Sequence, residues 1–64
     1  MTIQIYIVTE ILEGKTQIGG IYQNLADAHD HAKDIAEYAG FKPAGKNVWG
    51  DDEYGMRVEV HQVN

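Results

Sequence analysis

The segment from Asn24 to Gly40 constrains this chain most, because it carries a complete helix signature between runs that read as strands. Leu25, Ala28, Ala32, Ile35, Ala36 and Ala39 recur at three- and four-residue steps, while Asp27, Asp30, His31, Lys33, Asp34 and Glu37 take the other side. This spacing predicts one amphipathic helix. Asn24 is placed as its N-cap, with its side-chain oxygen accepting from the amide of Asp27, and Asp27 sets negative charge near the positive end of the dipole. At the far end Gly40 suits the left-handed conformation that stops a helix, Phe41 can fold back onto Ala36 or Ile35, and Pro43 blocks resumption. The buried stripe is mostly alanine, so the helix can approach a sheet closely but contributes little apolar area. A sheet must provide the large side chains.

Strand-like runs flank it. Ile3, Ile5 and Ile7 alternate with Gln4, Tyr6 and Val8, a period of two in β-branched and aromatic residues that predicts a strand over residues 2–11. Glu13-Gly14 is a turn, and residues 16–22 return as a second, antiparallel strand. Its Gly19-Gly20 pair marks a bulge or a close approach of the helix more readily than a ligand site. After the helix, residues 41–46 read as a loop, residues 47–50 as a short third strand and residues 51–55 as a turn. Met56 to Val63 forms a fourth strand, with Met56, Val58 and Val60 on one face and Arg57, Glu59 and His61 on the other. The expectation is an α+β domain, ββαββ, spanning residues 1–64, with a four-stranded antiparallel or mixed sheet and one helix packed on one face. That helix would cover the isoleucines of the first strand, leaving Gln4, Tyr6 and Val8 with Arg57, Glu59 and His61 on the open face.

Sixty-four residues lie near the lower limit at which a chain without staples folds alone, so dimerisation would be a ready source of stability. The chain has no cysteine, which excludes disulfides and thiolate metal or redox sites. There is no basic n-region at the amino end and no window approaches the roughly 18 apolar residues of a membrane span. A soluble, unprocessed, cytoplasmic chain is expected, with no membrane partner. Ten Asp and Glu against five Lys and Arg give a net charge of -5. Lys15, Lys33, Lys42, Lys46 and Arg57 are scattered, so no basic stripe is available for phosphates and no direct nucleic-acid contact is expected. A basic protein surface is the more natural partner.

Catalytic and metal chemistry find little support in the pattern. Asp27, His31 and Asp34 share a helix face close enough for a divalent ion, but the site would be wholly exposed, with His29 pointing away and no neighbour to fix the imidazole. A solvated face is the expectation, and no metal or cofactor is assigned. Asp51-Asp52-Glu53 is too short for a calcium loop, whose ligands alternate over about twelve residues. Glu10, Glu59 and His61 could provide an acid and a base, but one helix on a small sheet offers little concavity to exclude water, and no nucleophile elbow or phosphate loop is present. The chain is expected not to be an enzyme. Asp27, Asp30, Asp34 and Glu37 form a stripe of carboxylates about 5 Å apart along the helix axis. That is a dilute imitation of a duplex carrying one charge about every 1.7 Å.

The runs Ile5-Tyr6-Ile7-Val8-Thr9-Glu10, Gly19-Gly20-Ile21-Tyr22, Leu25-Ala26-Asp27-Ala28 and Tyr54-Gly55-Met56-Arg57-Val58-Glu59-Val60 resemble small phage- and prophage-encoded proteins. In general character the chain is similar to the anti-CRISPR proteins. The matching positions are strand, cap and turn residues and carry no active site across. What the resemblance implies is an inhibitor that works in the host bacterial cytoplasm, binding a host protein or defence ribonucleoprotein and blocking its basic, nucleic-acid-binding surface. From the residues themselves the expected anchors are Tyr6, Trp49 and Tyr54, with Asp51, Asp52 and Glu53 pairing to Lys or Arg of the partner and Asp27, Asp30, Asp34 and Glu37 as further acidic contacts. The alternatives are a homodimeric structural or regulatory domain that associates through its open sheet face and, behind it, a divalent-metal-binding domain.

Overall fold

In the computed structural model, which describes residues 2–63, the first and last strands of the chain lie side by side at the centre of the sheet. The elements are β1 (Ile3–Leu12), β2 (Lys15–Tyr22), α1 (Leu25–Ala39), β3 (Pro43–Gly45), β4 (Val48–Gly50) and β5 (Tyr54–Val63). Every pairing is antiparallel and the order is β2-β1-β5-β4-β3. The α+β class with one helix on one face is as the sequence implies, but the sheet has five strands rather than four. The extra strand is β3, inside the stretch expected to be a loop. Pro43 sits opposite Trp49, and a proline is tolerated there because β3 is an edge that leaves no inner ladder bond unmade.

Local signals explain most of the frame. Leu12 pairs with Lys15 across a two-residue turn in which Glu13 and Gly14 have φ of 55° and 77°, the left-handed pair of a type I′ hairpin. Gly19 is the extra residue where the register shifts between Val8 and Thr9, so the glycine pair does mark a bulge. Gly20 also marks a close approach, since a Cβ there would stand 3.3 Å from the His31 ring. Asn24 caps α1, but its Oδ1 accepts from the amide of Ala26 at 2.8 Å, one residue earlier than the sequence suggested. At the other end Gly40 has φ 82°, and the amides of Gly40 and Phe41 donate to the carbonyls of Glu37 and Ala36. This is the Schellman arrangement, and it folds the Phe41 ring onto the core.

The core lies between α1 and the sheet. Ala28, Ala32 and Ala36 are fully buried against Val8, Trp49 and Met56, with Tyr6, Tyr22, Ile35, Phe41 and Val58 packed around them. The expected phase of β1 is therefore inverted. Val8 sits opposite Val58 and Tyr6 opposite Val60, so Tyr6 and Val8 share the helix side with Met56 and Val58. Ile3, Ile5, Ile7, Thr9 and Ile11 turn to the open side, in register with Val63, His61, Glu59, Arg57 and Gly55. On β2, Ile21 and Ile18 join them opposite Ile7 and Thr9.

Candidate functional site

The residues of interest fall on three surfaces. The first is the outer side of α1, where Asp27, Asp30, Asp34 and Glu37 are all exposed, so the predicted acidic stripe is presented to solvent. Lys33 meets Glu37 at 3.9 Å, an exposed pair of small energetic weight. One turn beyond Asp34, at the i+4 position on the same side, stands Tyr38, which is 96% exposed. It was missed in the sequence, although its spacing from Asp30 and Asp34 continues the stripe and could have revealed it. The last turn of α1 holds no basic residue, so nothing on the helix offsets the negative end of its dipole.

The second surface is the end of the molecule where the β1–β2 and β4–β5 turns meet, with the Gly14 amide donating to the Glu53 carbonyl at 3.1 Å. Asp51 organises the β4–β5 turn. Its Oδ1 accepts from the amides of Glu53 and Tyr54 at 2.8 and 2.9 Å. Those bonds, the Tyr54 amide foremost, hold its carboxyl below the usual carboxylate range. Asp52, Glu53 and Tyr54 are exposed beside it, with Glu13 on the adjoining turn. An open cleft of about 380 Å³ connects this turn to the C-terminal end of α1, lined by Gly40, Phe41, Lys42, Pro43, Asp51 and Tyr54 among others. Thus Tyr54 and Asp51 line the same cleft as Gly40, at the negative end of the helix.

Two of the expected anchors lie elsewhere. Trp49 is only 6% exposed and belongs to the core, where its ring meets that of His29 with centroids 5.1 Å apart. Hydrophobic burial under α1 has claimed it. Tyr6 is half-buried on the helix side of β1, and its hydroxyl donates to Gln4 at 3.0 Å. Neither histidine of α1 joins the solvated face. His31 Nδ1 is hydrogen-bonded to the Tyr22 hydroxyl, and His29 Nδ1 donates to Asn47 Oδ1 at 2.9 Å. His31 is thereby taken from Asp27 and Asp34, and no group of three or more metal-ligating side chains is assembled among the described residues.

The acid and base candidates are also separated. Glu10 lies on the helix side of β1, where it accepts from Gln17 at 2.9 Å. Glu59 and His61 point from the open side, and Glu59 accepts from the Thr9 hydroxyl at 2.7 Å. The third surface is that open side, where isoleucines of β1 and β2 lie beside Arg57, Glu59 and His61. No helix among the described residues is long and apolar enough to cross a membrane. The chain matches no family model, no curated protein and no solved structure.

Proposed function

We propose that this chain is a non-enzymatic protein-binding module that offers the acidic outer side of α1 and the adjoining cleft to a basic protein surface. The single observation that carries the reading is Tyr38. A tyrosine 96% exposed at the end of an exposed row of carboxylates has no packing role in its own domain. Aromatic residues ringed by charge are what interface centres are made of, because the ring is buried on binding while the charges steer the approach. Tyr54, 45% exposed and lining the same cleft as Gly40, is the second aromatic contact. Asp51, Asp52 and Glu53 extend the negative field beyond the helix end. A lysine or arginine of the partner entering the cleft would meet both the carboxylate of Asp51 and the negative end of the helix dipole.

The resemblance to small acidic phage proteins gives this module its setting. It fits an inhibitor that covers the nucleic-acid-binding surface of a bacterial defence complex, since such surfaces are basic and the chain carries a net charge of -5. The test is capture of partners from bacterial lysates that contain CRISPR effector complexes, with the wild type beside Tyr38→Ala and the charge-reversed Asp30→Lys/Asp34→Lys. A partner bound stoichiometrically by the wild type, released by moderate salt and lost by both variants, supports the reading. Identical capture by wild type and variants removes it.

A further inference from the structure

The side of the sheet opposite α1 carries more large aliphatic side chains than the side that forms the core. Four isoleucines of β1 point there, as do Ile18 and Ile21 of β2. Three of them have no cover, Ile18 being 64% exposed, Ile21 59% and Ile3 54%, whereas Ile5 and Ile7 are half-buried and Ile11 is buried. Monomeric proteins seldom leave an apolar area of this extent to water. On the covered side the fully buried residues that the helix contributes are three small alanines, with Ile35 packed beside them. Two packed layers are a minimum for a domain, and here the second hydrophobic face of the sheet has no layer at all.

At the centre of this face stand two charges. Arg57 and Glu59 lie two residues apart on β5, opposite Thr9 and Ile7 of β1. Glu59 is held by Thr9. The Arg57 Nε is buried and has no hydrogen-bond partner, and Arg57 forms no ion pair among the described residues. A buried guanidinium nitrogen left unbonded costs free energy until an acceptor arrives.

We propose that this face mates with the same face of a second copy of the chain across a two-fold axis, burying the isoleucines and setting Arg57 of each protomer against Glu59 of the partner subunit. A two-fold interface requires a patch that complements itself, residue i meeting j and j meeting i. One cation and one anion at the centre, a single strand repeat apart, meet that requirement. A basic partner would find a balanced pair here, whereas the chain's excess acid lies on the helix and the turns. Sheets pack face to face about 10 Å apart, within reach of an arginine and a glutamate extended toward each other. The acidic side of α1 stays outside the sandwich, so this inference stands independently of the proposed function.

Sedimentation equilibrium of the full chain over a wide concentration range tests it. The expected species has twice the 7.2 kDa chain mass, and its melting temperature rises with concentration. Ile18→Lys and Ile21→Lys, at exposed positions outside the core, should leave the helical circular dichroism intact and yield monomers. Arg57→Glu and Glu59→Arg should each weaken the dimer by about tenfold or more, and the double exchange should restore it, because every cross-pair is then re-formed with reversed sign. A chain monomeric at every concentration overturns the proposal, and would assign the face to a different protein. A dimer indifferent to Ile18→Lys and Ile21→Lys overturns it equally, placing the interface elsewhere.

Discussion

Gly50 and Gly55 bring the β4–β5 hairpin to its closest approach. A Cβ on Gly50 would lie 2.2 Å from the Tyr54 carbonyl oxygen, and one on Gly55 would lie 2.3 Å from that of Trp49. Both obstacles are backbone, which cannot swing aside, and Gly50 has φ of 80° besides. Gly50→Ala or Gly55→Ala should therefore cost roughly 3 kcal/mol or more, enough to unfold a domain of this size. Thermal melts followed by circular dichroism would show it, and a melting temperature near that of the wild type would deny the contact. Glu13 presents the opposite case, a residue held at φ 55° where asparagine is at ease. Glu13→Asn should stabilise by about 0.5–1 kcal/mol, read as a higher urea midpoint. Asp51 adds a pH signature. Its carboxyl is depressed in the folded chain, so its contribution is complete above the unfolded value near 3.9 and is lost as pH falls through the lower folded value. Asp51→Ala should melt earlier than the wild type at pH 7, and the gap should close in acid.

Among the elements, α1 was the most legible, since its caps and three-four spacing are local signals that tertiary packing had only to accept. Its alanines set how near the sheet it lies. Ala32→Leu should push the helix outward and cost about 1–3 kcal/mol, while Ala26→Leu on the exposed side should be nearly neutral in the same chemical denaturation. β5 was legible too, because Met56 and Val58 alternate with Arg57 and Glu59 and only one set can be buried cheaply. β1 was not. Both of its faces are apolar, isoleucines on one and Tyr6 with Val8 on the other, so alternation fixed the strand but left its phase free. Register against β5 resolved it, by placing Val8 opposite Val58 under the helix. β3 escaped notice because Pro43, Ala44 and Gly45 have no strand preference of their own, and it exists only through pairing with β4. The candidate site was half legible. The carboxylates of α1 were readable from spacing, but the burial of Trp49 and the exposure of Tyr38 depend on where the helix comes to rest.

Over the whole molecule, the central pair β1 and β5 runs past its neighbours. β2 reaches only Tyr6 on β1, and β4 pairs β5 only from Gly55 to Arg57, so the pairing of Ile3–Ile5 with His61–Val63 is a free-standing two-stranded ribbon. Hydrogen exchange should find the amides of Val8 to Ile11 and Met56 to Val58 slowest, with protection falling off along the ribbon although it belongs to the central strands. Because Ile3 lies directly opposite Val63, the chain is almost a closed circuit. A short turn joining residue 63 to residue 3 would convert the most distant pairing in the sequence into a hairpin, and new ends could be cut at Asp52 without breaking a central strand. Such a circular permutant would keep every strand neighbour while making the ten-pair ladder of β1 with β5 local and leaving the long closure to the three pairs of β4 with β5, and it should reach the native state faster than the unpermuted chain.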